Sequence, residues 1–320
     1  MNSISAAWAL TVWFPPKQAA LRLTLPLLLL IALGLSAQHY RLFERLWFNL
    51  SAWYQQDALR ARSVWLPDYV AELQGKVIEG LDDNLSALSY DSERKVLVSV
   101  TNQPPQMVEL SLDGHLLRRV ALHGFSDPEA IEYIGPGRYV IADEREQRLV
   151  EAYIAPGAES FDATDAPRVA LGLGLNGNKG FEGLAYDSGK RRLLVAKERD
   201  PLRIYGIDGF PRTSPQAPFD IRVTADEARD AQLFVRDLSS LDYDAASGHL
   251  LALSDESRLL LELDREGHPI STLSLLAGQQ GLDHSVPQAE GVAMDDQVVI
   301  YLISEPNLFY RFVPRRPEAR

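Results

Sequence analysis

The sequence predicts an all-β protein: a five-bladed β-propeller of four-stranded antiparallel blades, preceded by an N-terminal transmembrane or signal helix. Three observations predict it. One short pattern recurs five times at roughly fifty-residue intervals, each recurrence is followed by a turn and an apolar strand, and a charge-free apolar run lies near the N-terminus. The 320 residues leave the domain count open by length alone, while 46% hydrophobic residues suffice for a sizeable core. The net charge of −12 is uneven, because residues 1–66 carry six basic side chains against Glu44 and Asp57 alone. The body is therefore strongly acidic, which argues against nucleic acid as a partner, since phosphate binding needs clustered Lys and Arg. The absence of cysteine excludes disulfides, thiolate catalysis and Cys-type zinc sites.

In chain order, residues 1–39 form a membrane anchor or signal segment. Leu23 to Gln38 (LTLPLLLLIALGLSAQ) is free of charge, and Lys17 and Arg22 precede it as in the basic region of an export signal. Leu35-Ser36-Ala37 is a tolerable cleavage site, so a retained anchor and a cleaved signal both fit. Residues 40–66 form an amphipathic juxtamembrane linker. Leu42, Phe43, Leu46, Trp47, Leu50, Trp53 and Tyr54 recur there at three- and four-residue spacing, the pattern of a helix lying on a bilayer. All five tryptophans fall within the first 65 residues, consistent with the headgroup preference of that side chain. A helix packed on the propeller is the other reading. The expected location is the inner membrane, with a single N-terminal anchor and the propeller in the periplasm. The alternative is a cleaved signal and secretion to the periplasm.

The propeller is expected over residues 67–315. Its repeat comprises LSALSYD (85–91), PEAIEYI (128–134), FEGLAYD (181–187), LSSLDYD (238–244) and AEGVAMD (289–295). Apolar second strands follow, KVLVSV, RYVIA, RRLLVA, HLLALS and VVIYLIS, each ending in a short polar cluster. Third strands such as MVELSLDG and LRIYGIDG end on Asp-Gly turn signals, and fourth strands such as HLLRRVAL follow in several units. The last unit has three strands, so the segment from Tyr69 to Ile78 is expected to supply its outer one and remove an open edge. Residues 155–167 and 224–232 are polar excursions, the second with one or two helical turns. The glycine-rich stretch from Gly172 to Lys179 is expected to be a loop rather than a nucleotide site, because no helix pattern follows it.

The EGLAYD-type opening, the polar cluster closing each second strand and the preceding anchor resemble the SdiA-regulated family of bacterial proteins. The segments carrying the resemblance are GFEGLAYDSGKRRLLVAKERDP (180–201) and QAEGVAMDDQVVIYLISEPN (288–307). The resemblance implies a five-bladed propeller distantly similar to NHL-repeat propellers, with a calcium site.

The first strand of a propeller blade lines the axis, so equivalent positions converge there. That places Ser86, Glu129, Glu182, Ser239 and Glu290 in one ring, with three carboxylates in a small space. Such a group repels itself unless a cation sits among its members, and calcium takes six to eight oxygen ligands. The clusters closing the second strands add Asn102, Glu144, Glu198, Asp255 and Glu305, with Lys197 as a counter-charge and Asp127 and Asp237 near the mouth. Glu129, Glu182, Glu290, Glu198, Asp255 and Glu305 are the candidate metal residues. The competing expectation is that these acids cap neighbouring backbone or pair with basic side chains. The six histidines form no HExxH spacing and no Gly-x-Ser-x-Gly elbow is present. The leading functional expectation is a membrane-associated periplasmic propeller that binds calcium and a small ligand or envelope protein. A metal-dependent hydrolase of an ester, lactone or phosphoester, and an envelope scaffold with structural metal, are the alternatives.

Overall fold

The computed structural model describes residues 17–82, 84–172, 180–212 and 220–315. The glycine-rich stretch therefore lies outside the described residues from 173 to 179. The chain divides into two compact units, 1–47 and 48–320. In the first, helix α1 (Lys17–His39) contains Pro26, whose ring removes one backbone donor. Its leucines are exposed from Leu27 to Leu35. Among the described residues no single helix is long and apolar enough to cross a membrane; Pro26–His39 and Leu42–Arg60 meet that measure only as a pair.

Helix α2 (Leu42–Arg60) runs into the second unit. There Phe48 packs on Phe234, with ring centroids 4.8 Å apart, and Leu59 is buried with Trp65 and Ile270. Trp53 and Tyr54 are 71% and 85% exposed, and Leu50 is exposed beside them. Within this unit the Leu50, Trp53 and Tyr54 part of the apolar stripe read from the sequence is thus exposed, while Phe48 and Leu59 pack inward. Beyond α2 the linker is latched to the propeller by one carboxylate. Glu262 accepts the backbone N–H groups of Val64 (2.8 Å) and Trp65 (3.0 Å), the Ser271 hydroxyl (2.6 Å) and a contact from His249 Nδ1 (2.8 Å). Leu66 N–H donates to Ser271 Oγ at 3.0 Å.

The second unit is a five-bladed propeller. After β1 (Tyr69–Val77), blade one comprises β2 (Leu85–Asp91), β3 (Val96–Asn102), β4 (Pro105–Leu110) and β5 (Leu116–His123). Blade two has β6 (Pro128–Gly135), β7 (Arg138–Asp143) and β8 (Arg148–Tyr153). The excursion that follows does more than cross the surface: β9 (Ser160–Asp162) adds a fifth strand to blade one, parallel to β5, before β10 (Arg168–Ala170) completes blade two. Blade three has β11 (Phe181–Asp187), β12 (Arg192–Lys197), β13 (Arg203–Asp208) and β14 (Arg222–Ala225), followed by the single-turn α3 (Glu227–Asp230) capped by Asp226. Blade four has β15 (Ser240–Asp244), β16 (His249–Ser254), β17 (Leu259–Leu263) and β18 (Pro269–Ser274). In blade five β19 (Ala289–Met294), β20 (Ile300–Ser304) and β21 (Leu308–Pro314) are completed by β1, with Tyr69 opposite Pro314, as expected from the missing outer strand.

The innermost strands neighbour one another in the cycle β2, β6, β11, β15, β19 and back to β2, which closes the ring. Second strands such as β16 and β20 are buried at every position, because each blade is sandwiched between two others. That is why they read as unbroken apolar runs. The Asp that ends the repeat shapes the turn after it. Asp91, Asp187, Asp244 and Asp295 each accept backbone N–H groups of the turn into the second strand. Gly183 and Gly291 are required by ring closure. A Cβ at Gly291 would lie 2.6 Å from Ala87 C and 2.7 Å from Leu88 N, and one at Gly183 would lie 2.9 Å from Leu241 N, all backbone of the adjoining blade.

Candidate functional site

Each axial glutamate is aimed by an interruption in its strand ladder. In β6 the pairing passes from Pro128↔Asp143 to Ala130↔Ala142, in β11 from Phe181↔Lys197 to Gly183↔Ala196, and in β19 from Ala289↔Ser304 to Gly291↔Ile303. Glu129, Glu182 and Glu290 are the extra residues of three equivalent bulges, a device that re-aims a side chain. In blade four Ser239 N–H bonds to Leu253 O while Ser240 pairs with the same residue, so Ser239 occupies the matching place.

These residues meet in a cavity of about 490 Å³ at one mouth of the axis. Glu129, Glu182, Glu290, Glu198, Asp255 and Glu305 all line it, so the six candidate residues read from the sequence are brought together. Glu144, Asp237 and Glu256 line it as well, and Arg199 is the one basic residue among its described lining residues. Arg199 is ion-paired to Glu198 (3.0 Å) and Glu256. Lys197 is directed elsewhere than expected of a counter-charge: its ammonium donates to the carbonyls of Arg199 (2.6 Å) and Asp200 (3.0 Å).

The two tiers behave differently. Second-tier acids also join blades: Glu144 accepts Gly180 N–H at 2.8 Å and Asp255 accepts Ala289 N–H at 3.0 Å, in each case from the following blade. Glu305 accepts the Gln288 amide at 2.9 Å. The capping role weighed against metal binding is therefore present in this tier. In the first tier, Glu129 is held by Asn102 Nδ2 at 3.0 Å, while Glu182 and Glu290 receive no hydrogen bond among the described residues. Burial pushes the Glu129 carboxyl up to about 7, with Ser86 and Asn102 opposing and Asp127 and Glu144 adding like charge. Burial pushes Glu290 up to about 8, helped by Glu305, Asp255 and Glu129. Glu182 lies well above the usual carboxylate range through burial and the charges of Glu129, Glu144, Glu290 and Glu198. Glu144, Glu198 and Asp237 are raised too, chiefly by burial.

Two neutral oxygens at the cavity lack a partner among the described residues, Ser239 Oγ and Asn102 Oδ1, and Ser239 is only 6% exposed. Oxygens of Asp127, Glu129 and Glu144 come within 4.8 Å of one another, a spacing one cation can span. Asp127 also pairs with Arg145 at 3.2 Å. Arg199, Glu256 and Gln288 were not expected from the sequence; Arg199 and Glu256 directly follow the second-tier Glu198 and Asp255, and Gln288 stands two residues before the axial Glu290.

Among solved structures, a nidogen/laminin complex aligns at 16% identity over 70% of this chain and 73% of that one, with a TM-score of 0.44. A luciferin-regenerating enzyme aligns at 11% identity over 75% of this chain and 95% of that one, with a TM-score of 0.48. The SdiA-regulated family pattern matches residues 61–313, from the linker to the last strand of the propeller. The chain belongs to the SdiA-regulated family.

Proposed function

We propose that this protein is a membrane-associated periplasmic propeller that holds a divalent cation, calcium, in its acidic mouth and presents that face to a small ligand or envelope protein. The observation that carries the reading is the convergence of Glu129, Glu182 and Glu290, two of them without a donor among the described residues, beside the oxygens of Ser239 and Asn102 that lack a partner among the same residues. The donor set is oxygen throughout, with neither imidazole nor thiolate among the lining residues, which suits a hard cation. Glu129 is shared between the axial trio and the Asp127–Glu129–Glu144 group, so it is the residue on which either placement of the ion depends. The exposed leucines of α1 and the outward Leu50, Trp53 and Tyr54 of α2 support a bilayer as the N-terminal partner.

Calorimetric titration of the full chain with calcium tests the site. Micromolar or tighter binding, weakened by Glu129→Gln, Glu182→Gln and Glu290→Gln, is the expected result. Binding indifferent to all three changes, or no binding, refutes the calcium reading. Location is tested separately, by protease protection of the propeller in intact spheroplasts and by its retention in membranes after alkaline extraction.

A further inference from the structure

The opposite ends of the same five inner strands enclose a second cavity, of about 570 Å³. Its walls include Tyr90, Tyr133, Tyr186 and Tyr243, which occupy one repeat position in blades one to four, with Met294 in the fifth. Glu132 and Asp242 also line it, 7% and 9% exposed. They stand three residues after Glu129 and Ser239, and a strand's rise of about 3.3 Å per residue carries them about 10 Å along the axis toward the other mouth.

Lys95 Nζ lies over the Tyr90 ring, 5.7 Å from its centroid, and Tyr133 packs on Tyr139 with ring centroids 5.8 Å apart. Three further acids at this mouth are occupied elsewhere. Asp244 and Asp295 cap turns, and Asp296 pairs with Lys95. Glu132 accepts Ser89 Oγ at 2.8 Å and Tyr186 N–H at 3.0 Å. Burial pushes Asp242 up to about 7, with the like charge of Asp244 adding, and holds Glu132 well above the usual carboxylate range, with the charge of Asp242 adding. Two buried carboxylates thus face a tyrosine-walled space with no Lys, Arg or His among its described lining residues, the nearby Lys95 being paired with Asp296.

We propose that this mouth binds a small organic ammonium ion, its charge held over Asp242 and Glu132 and its alkyl groups against the tyrosine rings. Aromatic faces attract a diffuse, weakly hydrated cation, and the acids supply the compensating charge. A bare metal ion would make no use of the four rings. The cavity also has the size common for small-molecule sites, which are roughly 300–1,000 Å³. The inference is independent of the cation proposed for the acidic mouth.

The test is calorimetric titration of the full chain, in a sugar-headed detergent free of quaternary ammonium, with choline, with its neutral isostere 3,3-dimethyl-1-butanol and with calcium. Choline is expected to bind, with the isostere weaker by about tenfold or more. Asp242→Asn and Tyr186→Leu should each weaken choline by about tenfold, and Glu182→Gln at the far mouth should leave it unchanged. Tyr243→Leu stands in for any variant that circular dichroism finds unfolded. Absence of choline binding at about 10 mM, an affinity too weak for a built site, overturns the proposal. So does equal binding of the isostere, or choline binding that follows Glu182→Gln rather than Asp242→Asn.

Discussion

Replacing Glu262 by alanine tests the latch between the linker and blade four. Glu262 is fully buried and is approached by two backbone N–H groups, a serine hydroxyl and an imidazole nitrogen. A hydrogen bond to a charged group contributes about 1.5–3 kcal/mol, so four of them total roughly 6–12 kcal/mol. Removing a buried charge also removes its desolvation penalty, several kcal/mol, which offsets much of that sum. What remains is about 3–5 kcal/mol, the range seen when one partner of a buried pair is deleted. For a propeller of this size that lowers Tm by roughly 6–20 °C. Ser271→Ala, which loses one donor to Glu262 and the acceptor of Leu66 N–H, should destabilise by about 1–2 kcal/mol. Thermal unfolding gives the global effect, and limited proteolysis between Arg60 and Leu66 tells whether the linker detaches first. If Glu262→Ala moves Tm by less than about 2 °C and leaves cleavage unchanged, the latch contributes nothing and the reasoning fails.

Further expectations concern closure, pH and the N-terminal helices. Gly291→Ala and Gly183→Ala, whose new methyl groups would strike the next blade's backbone, should each destabilise by about 3 kcal/mol or more, whereas Gly189→Ala, whose nearest neighbour is Asp187 Oδ1 at 3.3 Å, should change stability by under about 0.5 kcal/mol; chemical denaturation compares them. Carboxyls held above their unfolded value keep a proton in the folded state, so the metal-free propeller should be most stable below about pH 4.5 with respect to these groups. That contribution should fade as pH rises through about 7 to 8, the values of Glu129 and Glu290. Thermal scans from pH 5 to 9 follow it, and a rise in stability across that window would contradict the assignment. Because every tryptophan lies at or before Trp65, intrinsic tryptophan emission reports the N-terminal region alone. Vesicles should shift that emission to the blue, and Trp53→Glu should reduce the shift.

The five blades were legible because one strand-turn-strand pattern repeats, and the incomplete last unit pointed to its own missing strand. The axial glutamates were legible for the same reason: a shared repeat position becomes a shared place. Strand-end chemistry was harder to read. Whether Glu144 or Asp255 faces the cavity or caps the next blade depends on inter-blade contacts, which no local pattern encodes. The three-residue β9 was illegible because its parallel pairing with β5 is long-range and too short to show alternation. The tyrosine mouth lies within the same repeat segments, four places after the axial position. A tyrosine in a strand is ordinarily core, and only the assembled ring brings four of them around one space.

Closing the last blade with the first strand has a consequence for biosynthesis. Strand β1 precedes every other strand of the ring in the chain, yet its partner β21 follows all of them. Until β21 has been made, β1 is an unpaired edge and the ring cannot shut. Folding of the final blade therefore waits on the synthesis of β21. A ribosome stalled within β20 would leave a chain with four finished blades and an adhesive border open to a neighbouring copy.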